Sequence, residues 1–266
     1  CHDEPVAVSS GQSGAALEIG SVGQPIAEGV TARIRLVYFE GADREALPAI
    51  VNCGGRWEVH GTPLDRTWLK LGSDAKAGAL EVKVDGSLKG WRKGDRVIVT
   101  ASTNDYSGSS FRSTARRPKK AQTEERVIAA IRGDTILLDE ALTYDHAGEG
   151  EFRSEVANLS RNVIIESADP SGARGHTMYH RDSTGGISYA EFRHLGKEGV
   201  LGKYAIHFHL VRDTMRGSGV IGASIWDSHN RWITIHGTDH LLIRDCVGFQ
   251  SVGHGYYLED GTEQYN

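Results

Sequence analysis

The sequence predicts an all-β fold: a right-handed, single-stranded parallel β-helix preceded by an N-terminal β-rich portion. Three observations carry this. Strand-like runs of about four to eight residues, bounded by Gly, Asp or Asn, recur along the chain. Helical periodicity is nearly absent, and the best candidate, RTWLKLGSDAKAG, is broken by Gly72 and Gly78. The C-terminal half is quasi-repetitive, a short strand and a polar turn following one another over and over.

The elements follow in order. Residues 31–39 (TARIRLVYF), 56–61 (RWEVHG), 80–84 (LEVKV), 95–102 (DRVIVTAS), 125–131 (ERVIAAI) and 134–140 (DTILLDE) read as strands. After residue 160 come NVIIES, GISYAEFRHL, YAIHFHLV, SGVIGASIWDS, RWITIHG, HLLIRDCVGFQS and GYYLEDG, more densely spaced. Matching Ile206 to Ile235 and then to Leu258 gives offsets of 29 and 23 residues, which suit successive coils of a solenoid. Three segments are expected: 1–60, β-rich; 61–160, β-rich with a basic loop at 112–126; and 161–266, the coils.

Bulk properties narrow the function classes. Hydrophobic residues at 39% and charged residues at 24% indicate a folded protein. The net charge of −5 gives no global reason for nucleic-acid binding, and no apolar run is long enough for a membrane helix. The 33 glycines against 6 prolines suit many tight turns. Cys1, Cys53 and Cys246 lie far apart, which excludes a disulfide framework and argues against a thiolate zinc site while allowing one bridge of unassigned pairing. A chain that starts at Cys1 reads as a fragment of a longer protein rather than a lipidated one. Asn158-Leu159-Ser160 matches the glycosylation tripeptide.

Nine of the twelve histidines fall between His176 and His254. Side chains alternate along a strand. If Ile206, Phe208 and Leu210 face the interior, His207 and His209 face outward. By the same rule Ile233, Ile235, Tyr256 and Leu258 face in, and Thr234, His236, Tyr257 and Glu259 face out. Neighbouring coils lie about 4.8 Å apart, so the alignment stacks His207, His236 and Glu259. Two imidazoles and a carboxylate are a ligand set for one divalent cation such as Zn, Mn or Ca. The same residues, with His209, His254 and Asp260, are candidate catalytic groups for glycosidic cleavage. A polar ladder that stiffens the solenoid is the structural alternative. Glu259 and Asp260 are adjacent, so both reach one site only if the strand ends there. His254, between two glycines, is expected in a turn whose backbone freedom aims it. Arg212, Arg231 and Tyr257 are candidate substrate contacts at the rim, and Arg112, Arg116, Arg117, Lys119 and Lys120 form a basic cluster that reads first as a solvated loop and second as a contact for an anionic polymer.

The motifs LEIGSVGQPI, GGRWEVHG, GDRVIVTAS, QTEERVI, RNVIIES, GHTMYH, EFRHLGKEGVLGKYAIHFH, NRWITIHGT and GHGYYLEDGTEQYN follow one another in a distinctive order. In that order they resemble the eight-glycine-domain family of cell-migration-inducing and transmembrane cell-surface hyaluronidases and fibrocystin-like proteins, from about Leu17 to Asn266. The resemblance implies an extracellular or cell-surface right-handed parallel β-helix, with residues 1–60 as the later part of the eight-glycine domain. In the hyaluronidase members it implies hyaluronan depolymerisation. Ala205 stands where the vertebrate members are expected to have Pro, and fibrocystin-like members share the scaffold without an established enzymatic role. Three functions stay open: an endo-glycosidase on an acidic, hyaluronan-like polysaccharide, a lyase on a uronate-containing polymer, and a non-catalytic glycan- or protein-binding module.

Overall fold

The structure, a computed structural model, describes residues 14–102 and 122–266, in two units. One unit combines the chain up to Pro63 with Arg161–Asn266; the other is Leu64–Ser160.

The first unit is a parallel β-helix of five coils, each contributing one strand to each of three sheets. The first coil holds β1 (Ala16–Ile19), β2 (Ala32–Leu36) and β3 (Ala49–Cys53), and the second opens with β4 (Arg56–His60). The second unit then intervenes with β5 (Trp68–Lys70), β6 (Glu81–Lys83), β7 (Arg96–Val99), β8 (Glu124–Arg132), β9 (Thr135–Leu138) and β10 (Glu155–Asn158). The second coil resumes with β11 (Val163–Ser167) and β12 (His176–His180). The third is β13 (Ile187–Ser188), β14 (Ala190–Arg193) and β15 (Ile206–Arg212). The fourth is β16 (Gly219–Ile221), β17 (Ser224–Ser228) and β18 (Ile233–Thr238), and the fifth is β19 (Leu242–Arg244), β20 (Val247–Ser251) and β21 (Tyr256–Leu258). The three sheets run β1-β4-β13-β16-β19, β2-β11-β14-β17-β20 and β3-β12-β15-β18-β21.

Alternation builds the core. Ile206 pairs with Ile233 and Phe208 with Ile235, and the first three are fully buried while Ile235 is nearly so. Trp57, Tyr179 and Phe208 stack at centroid separations of 5.1 and 4.9 Å, and the buried Tyr179 hydroxyl donates to Trp57 O at 2.8 Å. Stacked aromatic area of this kind dominates core energetics, and the Tyr179 hydroxyl is satisfied while the Trp57 indole N–H is buried without a partner. The corner between the first and second sheets is turned by a left-handed residue in three successive coils: Tyr189, Gly222 and Asp245, at φ 49°, 61° and 56°.

The fold class expected from the sequence is the one observed, with three corrections of detail. Coils do not begin at residue 161. Residues 16–60 already supply four strands of the same three sheets, because parallel pairing joins stretches separated by the second unit. Ile206 pairs with Ile233, an offset of 27 rather than 29, and only the 23-residue step from Ile235 to Leu258 is as expected. Leu210 does not point into the core. The register shifts between His209 and Arg212, Leu210 and Arg212 take positive φ (54° and 60°), and Val211 is buried instead.

In the second unit an antiparallel sheet runs β5-β10-β7-β8-β9-β6. Asn158, in the glycosylation tripeptide, is fully buried there and donates its amide to Asp95 Oδ2 at 2.9 Å, so it is not presented for modification. Of the expected basic loop, residues 112–121 lie outside the described residues, as does Cys1; Arg126 sits on β8. Cys246 is a free thiol. No helix among the described residues is long and apolar enough to cross a membrane.

Candidate metal centre on the third sheet

Parallel register stacks a column of side chains on the outer face of the third sheet. His180 pairs with His209 and His209 with His236; Glu259, just past β21, donates its backbone N–H to Ile235 O at 2.9 Å. The rings follow the register, with His180 and His209 stacked at 4.9 Å and His209 and His236 edge-to-face at 4.7 Å. His207 belongs to the neighbouring column, between Met178 and Thr234. The predicted stack of His207 directly under His236 is therefore displaced by two residues. The sites still converge, because two columns on one face are adjacent. Ligand atoms of His207, His236 and Glu259 all lie within 4.8 Å of one another.

His207 faces outward yet is only 2% exposed. The connection from β14 to β15 folds over it, placing the Tyr204 ring 4.8 Å away and Gly202 O at 3.0 Å from Nδ1. Lys197 anchors this strap by donating to the carbonyls of Arg44 (3.0 Å), Leu47 (2.9 Å) and Arg174. Asn230 ties it from the next coil, donating to Lys197 O and Val200 O at 2.8 and 3.1 Å. A carbonyl only accepts, so His207 Nδ1 carries the proton and Nε2 keeps its lone pair. That Nε2 is buried without a hydrogen-bond partner, as is Nδ1 of His209. Burial pushes the His207 imidazole down to about pKa 3, and burial with the neighbouring His236 pushes His209 down to about 4. Both rings are neutral at physiological pH, the form in which imidazole binds metals.

The carboxylates complete the cluster. The strand ends at Leu258, so Glu259 and Asp260 both reach the imidazoles, and Asp260 Oδ2 lies 3.1 Å from His236 Nε2. Glu259 Oε2 accepts from Arg231 at 3.2 Å. The Arg231 guanidinium lies between the rings of Tyr257 and Tyr204, 3.8 and 4.6 Å from their centroids. Arg231 and Tyr257 thus brace Glu259, and a cation–π sandwich of this kind holds a guanidinium in one orientation. A donor set of two neutral imidazoles and one braced carboxylate fits a divalent cation of the Zn or Mn type better than Ca, which takes oxygen ligands.

The remaining candidates divide. His254 is exposed, with its ring 5.0 Å from that of Tyr257. Its flanking glycines do not have positive φ: a Cβ at Gly255 would meet the Trp232 ring at 2.7 Å and one at Gly253 would meet Arg231 N at 3.1 Å. Close packing, not turn freedom, requires them. Arg212 is exposed beyond the bulge at the end of β15. Sequence reasoning missed His180, Tyr204 and His176. His180 has a legible signal, since MYHRD precedes FHLVRD by one coil. His176, fully buried with both ring nitrogens unpartnered and pushed down to about pKa 3 by burial, has none.

Residues 172–266 match the family model described as CEMIP beta-helix. A G8 domain-containing protein of Dictyostelium discoideum is 33% identical over 221 residues, covering 81% of this chain and 14% of that protein. Fibrocystin-L of Mus musculus is 30% identical over 264 residues, covering 80% of this chain and 6% of that protein. The chain thus spans less than a fifth of the length of these relatives. Among solved structures, the tailspike protein gp49 from Pseudomonas phage LKA1 superposes with a TM-score of 0.29 at 14% identity, over 91% of this chain and 46% of that one. A score that low bears on neither fold nor function.

Proposed function

Because the chain belongs to the G8 and CEMIP-like β-helix family, we propose that it is an extracellular or cell-surface polysaccharide-active protein, a hyaluronidase-like glycosidase acting on an acidic glycan. Its site is the His207–His236–Glu259 cluster, holding one divalent cation. The observation that carries the reading is the unpartnered, buried Nε2 of His207, with its lone pair set by Gly202 O and two further ligand atoms within 4.8 Å. Leaving a buried polar atom unpaired costs about 1–3 kcal/mol, a cost that ligation removes. A bound cation would supply Lewis-acid polarisation of an oxygen and an acidified water. The chain's own groups do the rest: Arg231 and Tyr257 hold Glu259, neutral His209 accepts a proton, and Arg212 at the rim meets uronate charge.

One observation favours elimination as a second reading. Glu259 faces Arg231 and Asp260 faces His236, whereas a carboxyl general acid needs apolar surroundings. A neutral imidazole base beside a cation that neutralises a uronate is what a lyase requires.

The test is metal analysis of the purified chain against the His207→Ala, His236→Ala double variant, alongside hyaluronan and other acidic polysaccharides with and without Zn or Mn. Stoichiometric metal lost in the variant, with metal-dependent cleavage, supports the proposal. A rise in absorbance near 230 nm identifies elimination (unsaturated products absorb there). Equal metal content in both proteins removes the cation, and a panel left uncut under every condition leaves a non-catalytic glycan-binding module.

A further inference from the structure

The outer face of the first sheet carries a second, separate constellation. Glu58 and His60 are two apart on β4, so both project outward, and Ser188 on β13 pairs in register with His60. Ser188 Oγ lies 2.7 Å from His60 Nδ1, and His60 Nε2 lies 2.7 Å from Glu58 Oε2. Glu58 Oε2 also accepts the backbone N–H of Gly186 at 3.0 Å, and its other oxygen faces Arg56 at 3.7 Å. The order of hydrogen bonds is therefore determined. The carboxylate accepts from Nε2–H, which leaves the Nδ1 lone pair to accept the serine hydroxyl. His60 is 2% exposed and locked, while Ser188 is half-buried and open to solvent. A hydroxyl on a base that a carboxylate orients is the arrangement of acyl-transfer nucleophiles, here with the two ring nitrogens exchanged.

We propose that Ser188, with His60 as base and Glu58 as orienting group, is an esterase site for small carboxylic esters, such as an O-acetyl group carried on a glycan. Ser188 Oγ attacks the ester carbonyl carbon while its proton passes to His60 Nδ1. The tetrahedral adduct collapses, the C–O bond to the sugar breaks, and the departing oxygen takes the proton from His60. Water, deprotonated by the same nitrogen, then releases the acid and regenerates the serine. Gly186 flanks Ser188 on the same outward side, and a Cβ there would make only ordinary contacts, 3.5 Å to Gly219 O and 3.8 Å to Glu58 Oε2. Packing does not demand glycine at that point, where a Cβ would meet nothing nearer than 3.5 Å.

The test is labelling of the full chain with a fluorophosphonate, with the adduct located by peptide mass, together with hydrolysis of p-nitrophenyl acetate. The expected result is a single adduct on Ser188, absent in Ser188→Ala. Glu58→Leu takes the acceptor away from His60 Nε2 and leaves the imidazole without the group that orients it. It should slow labelling by about 100-fold or more with the circular dichroism spectrum unchanged. No adduct, an adduct elsewhere, or labelling indifferent to Glu58→Leu overturns the proposal and leaves the three side chains as a structural ladder. Metal chelation tests independence from the third-sheet site: labelling that survives chelation supports a separate centre, and labelling lost with the metal refutes it.

Discussion

His176 and His207 should make this β-helix acid-labile well above the pH at which carboxylates protonate. Both are buried, at 0% and 2% exposure, and burial pushes each down to about pKa 3. In the unfolded chain each titrates near 6.5. Between pH 6.5 and 3 the unfolded state therefore binds protons that the native state does not, and stability falls as pH falls through that window, levelling out below it. From pH 7 to pH 5 each ring withdraws roughly 2 kcal/mol, so the pair removes on the order of 4 kcal/mol. That is a large part of the 5–15 kcal/mol typical of a domain. Glu124, held down to about pKa 2 by hydrogen bonds from His146, Thr143 and Tyr144 against its own burial, loses its contribution only as pH drops below about 4.5, outside this range. The assay is urea denaturation at pH 7 and pH 5 in the presence of EDTA, comparing the chain with the His176→Gln, His207→Gln variant. The variant should lose most of the pH-dependent difference. An equal difference in both proteins would refute the assignment of acid sensitivity to these two rings.

Phe208→Ala, at a fully buried position stacked on Tyr179, should cost about 3–5 kcal/mol in chemical denaturation. Gly222→Ala places a Cβ 2.5 Å from the Tyr189 ring at φ 61°, and should lower stability by more than the ~1 kcal/mol of the backbone conformation alone, read as a fall in Tm. Arg231→Lys keeps the charge but loses the sandwich between Tyr204 and Tyr257. It should weaken Zn affinity by about 10-fold in calorimetric titration, as loss of an outer-shell partner does. The Cys246 thiol, pushed up to about pKa 11 by burial, should resist iodoacetamide at pH 8 until urea is added.

Much of the third sheet was legible because alternation is a local rule. Ile206 and Phe208 inward, with His207 and His209 outward, needed only the period of a strand. Register was not legible, because it depends on how many residues each corner and strap consumes. The strap of residues 194–205 and the bulge at Leu210 change that count without a mark in the hydrophobic pattern. The three side chains expected together nevertheless lie close although their stacking differs, because outward positions on one face are near one another whether paired or diagonal. The burial of His207 was invisible for a related reason: it comes from Gly202 and Tyr204, which the chain brings back over a face that alternation assigns to solvent. The first-sheet cluster was missed altogether. Glu58 and Ser188 are far apart in sequence, and only parallel pairing across the intervening unit makes them neighbours.

That intervening unit enters at a place prepared for it. Thr62 N–H donates to Asn162 Oδ1 at 2.8 Å, and the two amide hydrogens of Asn162 are shared among the carbonyls of Ile26, Ala27 and Val30 and Thr62 Oγ1, all within 3.1 Å of Nδ2. One asparagine pins both ends of the excursion to the coil below, so the solenoid is interrupted in sequence without being opened in space. The roughly hundred residues between are then a cassette. A short Gly/Ser linker in their place should leave the strand pairings of the β-helix intact, because none of its three sheets includes a strand of the excursion. The solenoid is thus a frame whose second coil carries Leu64–Ser160 as an insertion between two pinned ends.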